Sequence, residues 1–321
     1  MPGNRSGRAL EILFRGLRGE DLCVKALADE YESSEKTISR SIADVRAFLA
    51  DNRELVGNAE LEYSYKRKCY NLRIDGFLEN KELFLLAEIL IASRALSRDE
   101  LSELIQKMRL FTTTKDRPKL DRLLKNELGN YSEVGRDCES IEDTLWQLVD
   151  CAYNKREITI EYYRSDRTYR VHRLYPASVM FSEFYFYLIA FDIDECSERP
   201  KYYRVDRIKN IIVHKNDQVV RYPEFDEGLL RRRSLFMWPG KLRTIRFEYS
   251  GPSVQAVLDK LPTAKIVDRR DGLITLEAEV YGDGIKMWIL SQGSYVRVIS
   301  PDEYVDEIKQ ELTKMLKQYE E

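Results

Sequence analysis

Lys201-Tyr202-Tyr203-Arg204-Val205-Asp206-Arg207-Ile208, set after Phe186-Tyr187-Leu188 on a preceding strand, decides how this chain is read. The stretch interleaves guanidinium groups with aromatic rings on short alternating segments. Arginine offers a planar fork suited to phosphate, and a tyrosine face is a platform for a stacked base. Arg204 and Arg207, with Tyr187, Tyr202 and Tyr203, therefore mark a candidate anion-binding surface.

The sequence around this stretch keeps a period of two. Ile158, Ile160 and Tyr162 predict one strand, and Tyr169, Val171 and Arg173 another that leads into Leu174-Tyr175-Pro176. Residues 179–181 end at the turn Ser182-Glu183, and 184–191 are apolar enough for a central strand buried on both sides. With 202–208 and 211–214 the segments number about five, short enough to close into a small barrel, and the loop 192–200 reads as an acidic tip. Arg164, Arg170, Arg173, Arg204 and Arg207 recur on successive strands and are expected to face one groove, with Tyr162, Tyr187 and His172 among them. Plainer readings stand beside this. Asp206 can pair with Arg204 or Arg207, Tyr187 fits a core, His172 fits a surface strand, and Arg164 can be solvated beside Ser165-Asp166.

Toward the N-terminus the period is helical. Leu10, Leu13, Phe14 and Leu17 predict one helix that stops at Gly19, and Val24, Leu27 and Ala28 a second. Ser33-Ser34 cap a third, with Ile38, Ile42, Val45, Phe48 and Leu49 on its buried face. Ser34, Glu35, Lys36, Thr37, Ser39 and Arg40 lie at its start, where a recognition helix meets base edges. Leu61, Tyr63 and Tyr65 then alternate into the turn Lys66-Arg67-Lys68 and out through Tyr70 and Leu72, a hairpin with a basic tip suited to phosphate contact. Each part alone also reads as an ordinary capped helix or a solvated loop. In this order they predict a winged helix-turn-helix over 1–75.

Residues 76–150 carry amphipathic helices and no chemical constellation, and are read as a helical linker. Beyond 222, Arg231-Arg232-Arg233 opens a linker that ends at Trp238-Pro239-Gly240, and a β-α-β-β-α-β-α pattern follows to the end, ferredoxin-like with an added helix. Four domains are expected, at 1–75, 76–150, 151–222 and 223–321, in an α+β multidomain protein.

Composition sets outer bounds. The chain has 321 residues and a formal net charge of −3, so nucleic-acid contact must come from local patches rather than bulk charge. Its five cysteines are scattered with no CxxC pair and read as reduced thiols of a cytoplasmic protein, with no secretion or membrane signal. Two histidines, with no GxSxG, HExxH or phosphate-cradling glycine loop, argue against an enzyme, and no metal or cofactor is expected.

Phe186-Tyr187-Leu188, Tyr203-Arg204-Val205-Asp206-Arg207-Ile208 and Pro176 together resemble the WYL domain of bacterial transcription regulators, with Phe186 where tryptophan is usual. The winged helix is similar to that family's N-terminal head. The string from Trp288 through Gly293-Ser294-Tyr295 to Ser300-Pro301 is similar to its C-terminal extension. The resemblance implies an Sm-like barrel that binds an effector, in some members single-stranded nucleic acid, and thereby alters duplex binding by the head. It implies a homodimer on an inverted-repeat operator. The ligand-binding residues expected are Tyr162, Arg164, His172, Arg173, Tyr187, Arg204 and Arg207, with a nucleotide or small metabolite as the alternative effector.

Overall fold

The structure is a computed structural model that describes residues 5–56, 59–74, 78, 80–112, 116–138, 140–195, 199–215, 226–270 and 272–320. The expected boundaries at 75/76 and 222/223 fall outside the described residues, as does Cys196. The chain forms two compact units, Met1–Gly135 and Arg136–Glu321.

The first unit opens with α1 (Arg5–Leu17), α2 (Val24–Glu30), α3 (Glu35–Asp51) and the short α4 (Arg53–Val56), followed by the antiparallel hairpin of β1 (Ala59–Ser64) and β2 (Cys69–Ile74). Ile12, Leu22, Leu27, Ile38, Ile42, Val45, Leu49 and Leu61 share one core. Ser34 caps α3 by accepting a hydrogen bond from the Thr37 N–H at 3.2 Å. The register of α1 differs from the sequence expectation. Ile12 and Gly16 face inward, and Leu10 and Phe14 stay exposed. Gly16 takes the inner position because the Leu72 side chain packs there, 3.0 Å from where a Cβ would sit. Phe48, expected inside, is exposed as well. A bridge joins Leu22 to Tyr70, and beside it a disulfide links Cys23 to Cys69. This corrects the reading of these two cysteines as reduced thiols, since the paired backbones bring residues 46 positions apart into bonding range.

A second cluster in this unit is built by α5 (Asn80–Ser93), α6 (Arg98–Arg109) and α7 (Arg117–Gly129) around Ala87, Ile91, Leu101, Ile105, Leu120, Leu124 and Tyr131. Ser97 and Glu100 close a reciprocal capping box at the start of α6.

The second unit starts with α8 (Glu142–Tyr153), which packs against β4 (Tyr169–Ser182) through its inward side, where Leu148 and Cys151 are buried. This helix, most of which the sequence pattern assigns to the linker, thus belongs with the sheet that follows it. β3 (Ile158–Tyr163), β5 (Tyr185–Asp192), β6 (Lys201–Arg204) and β7 (Ile208–Val213) complete a five-stranded antiparallel sheet in the order β6-β5-β4-β3-β7. The two segments expected around Pro176 are one long strand, β4, with a register shift between Pro176 and Ser178, where the imino acid has no N–H for the ladder. The expected closed barrel is not found. β6 and β7 are the outer strands, and no ladder joins them among the described residues. The segment read as one strand over 202–208 is interrupted by a 3-10 turn at Val205–Arg207, in which Asp206 binds back to Arg204 two residues earlier. β5 is also less enclosed than expected. Tyr185, Phe186 and Tyr187 are half-buried, and full burial begins at Leu188.

The run Arg231-Arg232-Arg233, expected in a linker, is the last turn of α9 (Glu227–Arg233). Then come β8 (Leu242–Tyr249), α10 (Val254–Lys260), β9 (Lys265–Arg270), β10 (Leu273–Tyr281), α11 (Gly284–Ser291), β11 (Val296–Ser300) and α12 (Asp302–Lys317). The strands form an antiparallel sheet in the order β11-β8-β10-β9. Ile245, Phe247, Leu276, Val280, Ile285, Trp288, Ile289, Tyr304 and Ile308 fill the space between this sheet and its helices. On β8, β10 and β11 the other side pairs Arg297 with Glu248 and Arg246 with Glu277 across neighbouring strands. β9 is an outer strand and carries Lys265, Asp268, Arg269 and Arg270.

Candidate functional site

Strand parity sorts the candidate residues. In the β5–β6 pair Tyr187 lies opposite Arg204, Leu188 opposite Tyr203 and Ile189 opposite Tyr202. Residues in register share a face and their neighbours take the other. Tyr185, Tyr187, Tyr202 and Arg204 thus lie on one side of the sheet, where Tyr187 and Tyr202 pack with Met180, Ile189, Leu230 and Met237. Lys201, Tyr203 and Asp192 lie on the opposite side, with Tyr162 and His172.

On the first side, the Arg204 guanidinium lies over the Tyr185 ring, 3.4 Å from its centre. Its Nε donates to Asp206 Oδ1 at 3.0 Å and its Nη2 to Asp206 Oδ2 at 2.7 Å, a two-pronged pair with a carboxylate side chain only 1% exposed. Burial works to lower the Arg204 pKa, but the bonds and charge of Asp206 reverse this and hold it above its ordinary value. The Tyr187 hydroxyl is pushed up by burial, against an opposing pull from the positive charges of Arg204 and Arg207. Arg207 ends the 3-10 turn, half-buried, and has no carboxylate partner among the described residues. Tyr185, Tyr187 and Arg204 therefore make a compact patch, and the positive charge of Arg207 is felt at Tyr187. One cation is already neutralised and the other is not.

The opposite side holds a polar network around Asp192. Its Oδ2 receives a hydrogen bond from Lys201 Nζ at 3.1 Å and one from the Tyr203 hydroxyl at 3.3 Å, and lies 3.4 Å from His172 Nδ1. Burial acts to raise the Asp192 carboxyl, yet the bond and charge of Lys201 keep it below its ordinary value. Burial also drives the Tyr203 hydroxyl well above its ordinary range. Tyr162 packs edge-on to Tyr203, with ring centres 5.4 Å apart, and its hydroxyl accepts a bond from the Arg204 backbone N–H at 3.3 Å. Tyr162 and His172 are thus parts of a satisfied interior network, with the Arg204 side chain turned away from them.

The expected groove of five arginines is not assembled. Arg173 is paired with Glu157, which lies next to β3 in the chain. Arg164 is exposed at the β3–β4 turn, and Arg170 is exposed and donates to the Tyr169 carbonyl. Register puts Arg170 and His172 on the side of Tyr162 and Ile160, opposite that of Arg204, whereas Arg173 lies on the side of Arg204 but is held by Glu157. Tyr185 belongs to the patch although it is absent from the expected set. Its signal is parity, since it stands two residues before Tyr187 on the same strand. Of the two ion pairs open to Asp206, the one formed is with Arg204.

In the first unit, Glu35, Lys36, Ser39 and Arg40 are exposed along the start of α3, Thr37 is half-exposed, and Ser34 is engaged as the cap. At the hairpin tip Lys66 and Lys68 project freely, whereas Arg67 pairs with Asp21 at 3.0 Å. No helix among the described residues is long and apolar enough to cross a membrane.

Residues 143–213 match the WYL domain and residues 242–316 the WCX domain. The first of these stretches contains the whole five-stranded sheet, and the second runs from β8 into α12. No curated protein matches the sequence. Among solved structures, the chain is similar to proteasome accessory factor B/C (PafBC) of Arthrobacter aurescens, with 15% identity and a TM-score of 0.30. That match covers 99% of this chain and 49% of the other, so the chain spans about half the length of that relative. It is also similar to a CRISPR Cas-related protein, with 16% identity, a TM-score of 0.40, and 77% and 75% of the two chains covered. The Phe186-Tyr187-Leu188 strand and the Arg204–Arg207 turn fall inside the first matched stretch, and the chain carries a WYL domain followed by a WCX domain.

Proposed function

We propose that the chain is a homodimeric DNA-binding transcriptional regulator whose operator binding is modulated by an anionic ligand, single-stranded nucleic acid in the first instance, held by the WYL domain. In this reading the architecture is a winged helix-turn-helix, a helical linker, an Sm-like sheet and a ferredoxin-like C-terminal domain. The observation that carries the ligand half is Arg207, half-buried with no carboxylate partner among the described residues, whose charge is felt at Tyr187 beside Tyr185 and the ring-stacked Arg204. A phosphate supplies the missing counter-charge, and the tyrosine faces suit bases of any sequence. Arg164, Arg173, Tyr162 and His172 drop out of the ligand set, because they are solvated, paired or enclosed elsewhere.

Fluorescence anisotropy with labelled single-stranded oligonucleotides tests this half. Arg207→Ala is expected to weaken binding by about 10- to 100-fold, the size of one charge-assisted hydrogen bond of about 1.5–3 kcal/mol. Unchanged affinity would remove Arg207 from the site. A mononucleotide that competes at equal concentration favours the alternative in which a nucleotide or small metabolite is the effector.

The duplex half rests on the exposed Lys36, Ser39 and Arg40 at the start of α3 and on the free Lys66 and Lys68 of the hairpin tip. Removing Lys66 and Lys68 together is expected to flatten the salt dependence of duplex binding by roughly 0.9 for each phosphate that is no longer neutralised. Lys36→Ala with Arg40→Ala is expected to abolish selection of one operator sequence while leaving the circular dichroism spectrum unchanged. Intact sequence selection in that double variant would refute the assignment of α3 as the reading helix.

A further inference from the structure

Cys23 immediately precedes α2, and Cys69 is the first residue of β2. Their disulfide ties the helical part of the N-terminal fold to its hairpin. Beside this bond lie the bridge in which Leu22 N–H donates to the Tyr70 carbonyl at 2.8 Å and Tyr70 N–H to the Leu22 carbonyl at 2.9 Å, and the exposed Arg67–Asp21 pair. Cys69 is buried, whereas Cys23 is half-exposed and open to a small thiol. Lys66, Arg67 and Lys68 precede Cys69 directly. The other described cysteines, Cys138 and Cys151, carry no disulfide.

We infer that Cys23 and Cys69 are a reversible redox modification site that clamps the hairpin onto the helices, so that the oxidised protein binds duplex DNA more tightly than the reduced one. The second clause rests on the duplex-binding reading above; the first does not. The exchange partner is a small-molecule thiol–disulfide couple of the glutathione class. In the reducing direction a thiolate attacks Sγ of Cys23, the S–S bond breaks, and Cys69 leaves as a thiolate that takes up a proton. A second small thiolate then attacks the mixed disulfide and releases Cys23. Two cysteine thiols form and two small thiols become one disulfide, a balanced two-electron exchange. The reverse sequence remakes the clamp. Because the backbone bridge persists without the sulfur bond, the reduced head keeps its fold while the hairpin gains freedom of movement.

The full-length protein is equilibrated in glutathione buffers of stepped thiol-to-disulfide ratio, then alkylated and mapped by mass spectrometry. Cys23 and Cys69 are expected to switch together within that range. Hydrogen exchange at the amides of 59–74 is expected to speed up several-fold in the reduced form and in Cys23→Ser. A mixed-sequence duplex at low ionic strength is expected to bind the reduced form several-fold more weakly. A pair that stays wholly oxidised or wholly reduced across the range, or hairpin exchange that is equal in both states, overturns the inference. Equal duplex affinity in both states overturns its regulatory part. Absence of duplex binding in both states, with redox-dependent hairpin exchange, supports the clamp and instead defeats the duplex-binding reading.

Discussion

Asp206→Ala is expected to destabilise the WYL domain by about 3–5 kcal/mol, the usual consequence of removing one member of a buried ion pair. The Asp206 side chain is 1% exposed and that of Arg204 16%. Truncation leaves the guanidinium enclosed, stacked on Tyr185, with both former donors facing no acceptor. The turn is affected as well, because Asp206 stands in it and accepts both bonds from Arg204. Urea denaturation followed by tryptophan fluorescence measures the change, and a value below about 1 kcal/mol, the level of an exposed pair, would show that the pair is not buried in solution. Replacing both residues with apolar ones of similar volume is expected to cost much less, since no orphaned charge then remains. The same logic orders the ligand contacts. In the proposed ligand site an anion that drew Arg204 away would leave a buried carboxylate behind, whereas Arg207 carries no such penalty among the described residues, so we propose Arg207 as the primary anchor.

Gly282→Ala is expected to destabilise the C-terminal part of the second unit by about 3 kcal/mol, combining left-handed backbone cost with overpacking. Gly282 has φ +86°, and a Cβ there would lie 1.9 Å from the Trp238 carbonyl oxygen. Neither side has room to yield. The Gly282 N–H is bonded to the Lys241 carbonyl at 3.0 Å, and the next residue's N–H to the Pro239 carbonyl at 3.3 Å. The close approach joins the segment after α9 to the entrance of α11, so the strain falls where Leu235 meets the core of the C-terminal sheet. Gly272→Ala is the control, because φ is +79° there but nothing lies within 4 Å of the added methyl group. A thermal melt in which the two variants fall by the same amount would mean that the backbone contact at Trp238 is absent.

Local patterns are legible in the sequence, and long-range closures are not. Alternation over 158–162, the apolar run 184–191, and the β-α-β-β-α-β-α order after residue 240 are signals carried by each segment alone, and the corresponding strands and helices are present. The cap at Ser34 is legible because capping needs only neighbouring residues. The inward side of α1 is not, since Gly16 gives no hydrophobic signal and is inside only because Leu72 arrives from the hairpin. The pairing of Cys23 with Cys69 depends on the Leu22–Tyr70 bridge and has no local signature. In the candidate site, Arg204 and Arg207 are recognisable as a pair, but a groove of five arginines requires register knowledge across β3, β4 and β6 that composition does not supply. Arg170 opposite Tyr162 lies on the other side of the sheet from Arg204, and Arg173, on the side of Arg204, is taken up by Glu157.

The charges along β9 bear on how the molecule behaves when crowded. An outer strand with unmet N–H and C=O groups is a template on which another chain can grow a further strand. Here any newcomer would have to lie beside Lys265, Asp268, Arg269 and Arg270, stripping water from charged heads. Concentrated samples are thereby guarded against fibrillar growth along that margin, and the guard is built into the side chains themselves.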